Sequence, residues 1–180
     1  MSLCRIESVK SLKDGARVSD DLEFEIVLDV AEDLSEDVVF SCCYVVDPAS
    51  ASSDLVLVDA DVGDGPGLKR GMMKFVLESP PPPLTALQQS GIILSDGQPD
   101  VGGLYISAAY RGKEFCRIGY FIRLEYDDAE MQQNPPQVVQ WDRFTVALSK
   151  PTATLTPIKW DDRSGDEPAS KRLCTEGEAG

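Results

Sequence analysis

One stretch, residues 101–126 (VGGLYISAAYRGKEFCRIGYFIRLEY), constrains the fold more than any other. In its second half Cys116, Ile118, Tyr120, Ile122, Leu124 and Tyr126 alternate with Arg117, Gly119, Phe121, Arg123 and Glu125. A period of two sends successive side chains to opposite faces of a strand, so the first set is a core face and the second meets solvent. In the first half Leu104, Ile106, Ala108 and Tyr110 form the matching apolar set. The stretch therefore reads as a hairpin, and joining the two apolar sets fixes its register. A two-residue turn at Arg111 and Gly112, carried straight into the strands, would place Ala108 opposite Phe115 and split the core face. One added residue places Ala108 opposite Cys116, Ile106 opposite Ile118 and Tyr110 opposite Glu114. The expectation is a three-residue turn with a bulge and a left-handed residue at Gly112 or Lys113. The same register sets Phe121 across from Gly103, Tyr105 across from Gly119 and Arg117 across from Ser107. Aromatics facing glycines among charges fit a binding surface. They fit equally an ordinary outer face on which rings shield glycine backbone.

Charge narrows the partners. Seventeen basic residues against 31 acidic ones give a net charge of -14 over 180 residues. That balance disfavours direct nucleic-acid or anionic-membrane contact and favours a basic partner. There is no run of 18 apolar residues and no amino-terminal signal pattern, so the expectation is a soluble intracellular protein without a membrane partner. Histidine is absent, which removes imidazole acid–base chemistry and His-based metal sites. The cysteines, Cys4, Cys42, Cys43, Cys116 and Cys174, make no metal-ligand spacing. Cys42 and Cys116 read as small buried apolar groups, and a reducing compartment fits.

Further strands are expected over 3–12 (an edge strand with imperfect alternation), 22–30, 38–46, 54–62, 72–78, 138–148 and 152–160. In 54–62 the pattern puts Val56, Val58, Ala60 and Val62 on one face. In 38–46 it sets Phe40, Cys42 and Tyr44 against Val39, Cys43 and Val45. The acidic segment 32–37 reads as a turn anchored by Leu34. The glycine-rich loop 63–71 precedes a strand and lacks a Gly-Lys-Ser/Thr, so it is not a phosphate loop. Four prolines at 80–83 give a stiff extended crossover or, alternatively, a proline-recognition motif. Residues 84–89 suit one helical turn. Asp127 as N-cap with Glu130 at N3 predicts a short helix that Pro135 and Pro136 stop. Pro157 requires an edge position in the last strand. Residues 161–180 are too polar to bury a core and are expected to be a disordered acidic tail after a single 1–160 domain. The whole reads as all-β, an immunoglobulin-like β-sandwich with short helical turns in its connecting loops. Asp59, Asp61 and Asp64 leave room for an enzyme holding calcium or magnesium, but no supporting ligand pattern follows them.

Six motifs occur in one order across this frame: Glu32-Asp33-Leu34-Ser35-Glu36-Asp37; Tyr110-Arg111-Gly112 with Glu114-Phe115; Arg117 with Gly119-Tyr120; Glu125-Tyr126; Asn134-Pro135-Pro136; and Ile158-Lys159-Trp160-Asp161. In order and near spacing they resemble the anti-silencing factor family of histone chaperones. The resemblance implies a nuclear, non-enzymatic protein without cofactor or metal. It would bind the histone H3–H4 dimer and transfer it during nucleosome assembly and disassembly. By matching positions, Arg117 and Phe121, with Gly103 and Tyr105 opposite, would meet the carboxyl-terminal helix of histone H3. Val101, Arg123 and Glu125 belong to the same implied surface, and Asp54 would lie beside it as an acidic partner. The strand edge at Thr152, Ala153, Thr154 and Leu155 would accept the histone H4 tail as an added β-strand. Glu36 and Asp37, with Val62, on the opposite side of the sandwich, resemble a docking site for basic short motifs of downstream chaperones. Gly103 departs from the family, which usually has a branched apolar residue there, so the apolar contact would shift onto Tyr105 and Phe121. Ser164, Ser170 and Thr175 are candidate tail phosphorylation positions. The competing reading is a generic β-sandwich adaptor that binds peptides by strand addition.

Overall fold

The computed structural model describes residues 2–161 except 64 and 66. Asp64, Ser164, Ser170, Cys174 and Thr175, with the rest of the expected tail from 162 onward, lie outside the described residues. Among the described residues nine antiparallel strands form the fold: β1 (Cys4–Ser11), β2 (Leu22–Val30), β3 (Val38–Val45), β4 (Leu55–Val62), β5 (Gly71–Ser79), β6 (Val101–Tyr110), β7 (Lys113–Tyr126), β8 (Phe144–Leu148) and β9 (Thr152–Leu155). Two short helices, α1 (Leu84–Ser90) and α2 (Ala129–Gln133), lie in the connections. One sheet runs β1-β2-β5 and the other β4-β3-β6-β7-β8, with β9 also pairing β7. Because β7 is 14 residues long, β8 and β9 share one of its edges end to end, at 122–126 and 116–119.

Alternation makes this an immunoglobulin-like sandwich. Phe24, Ile26, Leu28 and Val30 from β2 and Leu104, Ile106, Ile118 and Ile122 from the hairpin are all buried between the sheets. Rings bridge the layers, with Phe24 and Tyr120 centroids 5.5 Å apart and Phe40 and Phe75 5.1 Å apart. At one end of the core Trp160 packs against Tyr110 and Phe115 at 5.3 and 4.8 Å. The imperfect alternation of β1 has a local cause, a bulge between Ile6 and Ser8 on an edge strand.

The hairpin register is as expected from Ala108–Cys116 outward, but the turn is not. Tyr110 pairs with Lys113, and Ala109 with Glu114. The turn has two residues, Arg111 (φ 53) and Gly112 (φ 78), both left-handed, which suits the twist of the flanking strands. The extra residue is Phe115, left unpaired between Ala109–Glu114 and Ala108–Cys116. A bulge there turns both Phe115 and Cys116 inward, at 5% and 2% exposure, and gives Trp160 its ring partner.

A third bulge corrects β4. Cys42 pairs with Val58 and Cys43 with Val56, so Leu57 is skipped. Leu55 then faces inward beside Tyr44. Val56 leaves the set of Val58, Ala60 and Val62 and is 52% exposed. Three further boundaries differ. Asp128, not Asp127, caps α2, accepting from the Glu130 and Met131 N–H groups at 2.8 and 3.3 Å. Asp127 instead bonds Arg17 and Arg143 at 2.5 and 3.0 Å. The run at 138–148 pairs only from Phe144, since Trp141–Arg143 forms a 3-10 turn. The last strand ends at Leu155, two residues before Pro157.

Candidate functional site

Register assembles the expected surface on the outer face of the larger sheet. Three rows cross it. Ser41, Ser107, Arg117 and Thr154 form one. Val56, Cys43, Tyr105, Gly119 and Thr152 form the next. Val45, Gly103 and Phe121 form the third, and Val101 pairs with Arg123 beyond it. Glu125 follows two residues on, opposite Thr145. Arg117, Phe121, Gly103, Tyr105, Val101, Arg123, Glu125, Thr152 and Thr154 thus share one face. Ala153 and Leu155 carry the opposite parity, yet all four residues of β9 are exposed because the strand overhangs the sandwich.

The middle of this face is apolar and open. The Phe121 ring is 68% exposed on a strand whose alternate residues are fully buried. Its backbone is held by one residue of the β8–β9 junction: the Phe121 N–H donates to Ser149 Oγ at 2.8 Å and its carbonyl accepts from the Ser149 N–H at 2.9 Å. A Cβ on Gly103 would lie 3.2 Å from Val45 Cγ2, so Val45 leans over the position where a side chain is missing. A shallow pocket of about 270 Å³ lies above Gly119, walled by Arg117, Phe121, Thr152 and Thr154.

One flank is ordered by charge. Tyr105 Oη donates to Asp54 Oδ2 at 2.8 Å. The Arg117 guanidinium sits 4.0 Å from the Tyr105 ring centre and donates to Glu114 at 3.0 Å, a cation over an aromatic face. Burial, then the neighbouring Asp54 carboxylate and Cys43, hold the Tyr105 phenol above its ordinary range, so it stays a donor. Burial likewise raises Cys43, the cross-strand neighbour of Tyr105. The arrangement fixes Tyr105 and Arg117 before any partner arrives.

The acidic loop is built differently. Asp33 accepts from the Arg70 N–H at 2.7 Å and Asp37 from the Gly67 N–H at 2.9 Å, so two of its carboxylates hold the glycine-rich loop. A Cβ on Gly67 would lie 2.0 Å from the Leu34 carbonyl, which is why that approach needs glycine. Glu36 is 54% exposed and pairs with Arg111 at 3.0 Å. Val62 pairs with Val38, next in chain to Asp37, but is itself buried. Asp161 closes the cluster, accepting from Ser35 N–H and Oγ at 2.8 and 2.9 Å and from the Tyr110 hydroxyl.

Sequence reasoning missed Val45, Val56, Glu114 and Ser149. Val45 was legible from its parity on β3. Val56 was assigned to the wrong face because the β4 bulge has no sequence signature. Glu114 and Ser149 act through contacts that no periodicity reports. Among the described residues no group of three or more Cys, Asp or Glu is placed to hold a metal ion.

A sandwich that displays a ring on one sheet face and fixes the polar groups around it in advance is, by class, a binding module. A family model described as "ASF1 like histone chaperone" matches residues 1–161. Histone chaperone ASF1 of Candida glabrata is 32% identical over 166 residues, which cover 91% of this chain and 52% of that protein. The Saccharomyces cerevisiae protein of that name is also 32% identical over 166 residues, covering 91% and 56%. Histone chaperone asf1 of Drosophila melanogaster is 31% identical over 166 residues, covering 89% and 71%. The chain spans little more than half the length of the first two. It belongs to the ASF1-like histone chaperone family, whose members bind rather than catalyse.

Proposed function

We propose that the chain binds the histone H3–H4 dimer through the outer face of its larger sheet and passes it between partners during nucleosome assembly and disassembly in the nucleus. The observation that carries this reading is Phe121, 68% exposed in one row with Val45 and Gly103 and flanked by the ordered Tyr105–Arg117–Asp54 group. An apolar centre with a polar rim is how a sheet face receives an amphipathic helix. The carboxyl-terminal helix of histone H3 would lie across Val101, Gly103, Tyr105, Phe121 and Arg123, with Arg117, Asp54 and Glu125 as its charged margin. A net charge of -14 steers a basic client to the surface, while buried contacts supply most of the affinity. The exposed β9, Thr152, Ala153, Thr154 and Leu155, offers an edge to which the histone H4 tail adds as a strand. Glu36 and Asp37, beside Val62, would receive the basic short motif of a downstream chaperone, whose cation replaces Arg111 on Glu36.

Size exclusion of the chain with recombinant histone H3–H4 at high salt tests the reading. A salt-resistant complex is expected, and Phe121→Ala or Gly103→Arg should abolish it while the unfolding curve stays in place. A complex that withstands both substitutions would sink the assigned face. Binding of unrelated extended peptides with equal strength would favour the generic adaptor.

A further inference from the structure

Beyond the histone face, the geometry points to a second, pre-formed docking element: the four prolines 80–83, between β5 and α1, with Leu84 at their end, present a polyproline II ridge to a WW-type domain with an aromatic-lined groove. A polyproline II helix has three residues per turn, so residues i and i+3 lie on one edge of a three-sided prism. Pro80 and Pro83 are exposed, Pro81 is half-buried and Pro82 is buried. Pro83 has φ -66 and ψ 151, within that conformation. Leu84 opens α1, but its Cβ direction follows from the Pro83 ψ and its own φ, so it continues the ridge; it is 46% exposed. The outward surface is therefore two dipeptide pairs, Pro80-Pro81 and Pro83-Leu84, with the residue between them turned into the core. That is the layout a groove of parallel rings reads.

The ridge is clamped at both ends. Ser79 is 1% exposed and its hydroxyl donates to the Pro80 carbonyl at 2.9 Å. The Pro83 carbonyl accepts from the Ala86 and Leu87 N–H groups at 2.9 and 3.1 Å, and both residues are buried. A partner therefore finds the extended form already ordered, which removes a main cost of binding such segments. Among the described residues the Pro81 carbonyl makes no hydrogen bond, leaving an acceptor for an indole or phenol donor of such a groove. Residues 77–89 contain Glu78 and no lysine or arginine. That excludes grooves that need a basic flank and selects the class that reads unflanked proline runs.

The test titrates a ¹⁵N-labelled WW domain of that class with the full chain. Resonances of the groove aromatics should shift, and a proline decamer should reverse the shift. The double substitution Pro80→Ala, Pro83→Ala should weaken binding about tenfold or more, since it removes the paired anchors. Its histone H3–H4 retention should match the parent, and its unfolding midpoint should fall only by what two lost prolines release in the unfolded chain, because both are exposed and Pro82 still holds the core. No shift at the highest soluble concentration, or a shift that persists in the double variant, would overturn the proposal.

Discussion

The β6–β7 hairpin has a closed end and an open end. At the closed end Phe115 and Cys116 turn inward together, Trp160 stacks on Tyr110, and Ser35, Tyr110 and Arg111 gather around Asp161. At the open end Val101, Phe121, Arg123 and Glu125 stand in solvent, and the ring of Phe121 has glycine for its cross-strand neighbour. Both ends contain aromatics, arginines and carboxylates. They differ in where those groups find partners. At the closed end they satisfy one another and secure the fold; at the open end the apolar groups stay uncovered. In a protein of this charge, an acidic residue is informative about partners only once its internal bonds have been counted.

Trp160→Ala should give the largest effect. The ring is 8% exposed and packs on Tyr110 and Phe115, and removing such a side chain costs about 3–5 kcal/mol. Urea unfolding measures it. A loss under about 1 kcal/mol would mean that the carboxyl-terminal segment is not needed to close the core.

Asp161→Asn comes next, at about 1 kcal/mol for lost charge-assisted hydrogen bonds. Burial alone would raise this carboxyl, but the Tyr110 hydroxyl, the Ser35 N–H and hydroxyl, and Arg111 together hold it below its ordinary value. A depressed folded pKa adds stability that is full above the ordinary carboxylate range and disappears as pH falls through the folded value. The parent–variant gap should hold from neutral pH down to about pH 5 and close below about pH 4. A gap that does not change with pH would show that packing, and not the carboxylate, makes the closure.

Arg111→Gly should be slightly stabilising, by about 0.5 kcal/mol. The residue holds φ 53, which costs a non-glycine about 1 kcal/mol. The pairs it would lose, to Glu36 at 3.0 Å and to Asp161 at 3.7 Å, start from a half-exposed guanidinium and together contribute less than that. Thermal unfolding decides the sign. A clear destabilisation would mean that its pairs with Glu36 and Asp161 outweigh the strain at φ 53.

Most of the architecture was legible because it rests on parity. Phe24, Ile26 and Leu28, or Ile118, Tyr120 and Ile122, can be buried only if a period of two is kept. The errors fall at bulges. In the hairpin the need for one extra residue was legible, but not that it is Phe115 in the strand and not a residue of the turn; at Leu57 the alternation reads equally well without the step. The capping residue of α2 failed for another reason: Asp127 and Asp128 are chemically alike, and only the positions of Arg17 and Arg143 separate their roles. The candidate face was legible as a row, Phe121 with Gly103, since the register beyond the bulge was right. The order on its flank was not, because the Tyr105–Asp54 bond and the Arg117 stack join residues far apart in sequence.

Phe121→Ala should have the smallest effect on stability and so tests the open end most directly. The ring is 68% exposed, and its backbone bonds to Ser149 do not involve the side chain. Substitutions at such surface positions usually change stability by less than about 0.5 kcal/mol. Loss of an exposed aromatic anchor from an interface, by contrast, commonly costs about 2 kcal/mol or more of binding, roughly thirtyfold. Chemical unfolding and a histone H3–H4 titration on the same preparation separate the two quantities. An unchanged midpoint with binding lost would mark the ring as serving the partner alone. A shifted midpoint with binding kept would make Phe121 a cover for the Gly103 backbone, and the open end would then be no different in kind from the closed one.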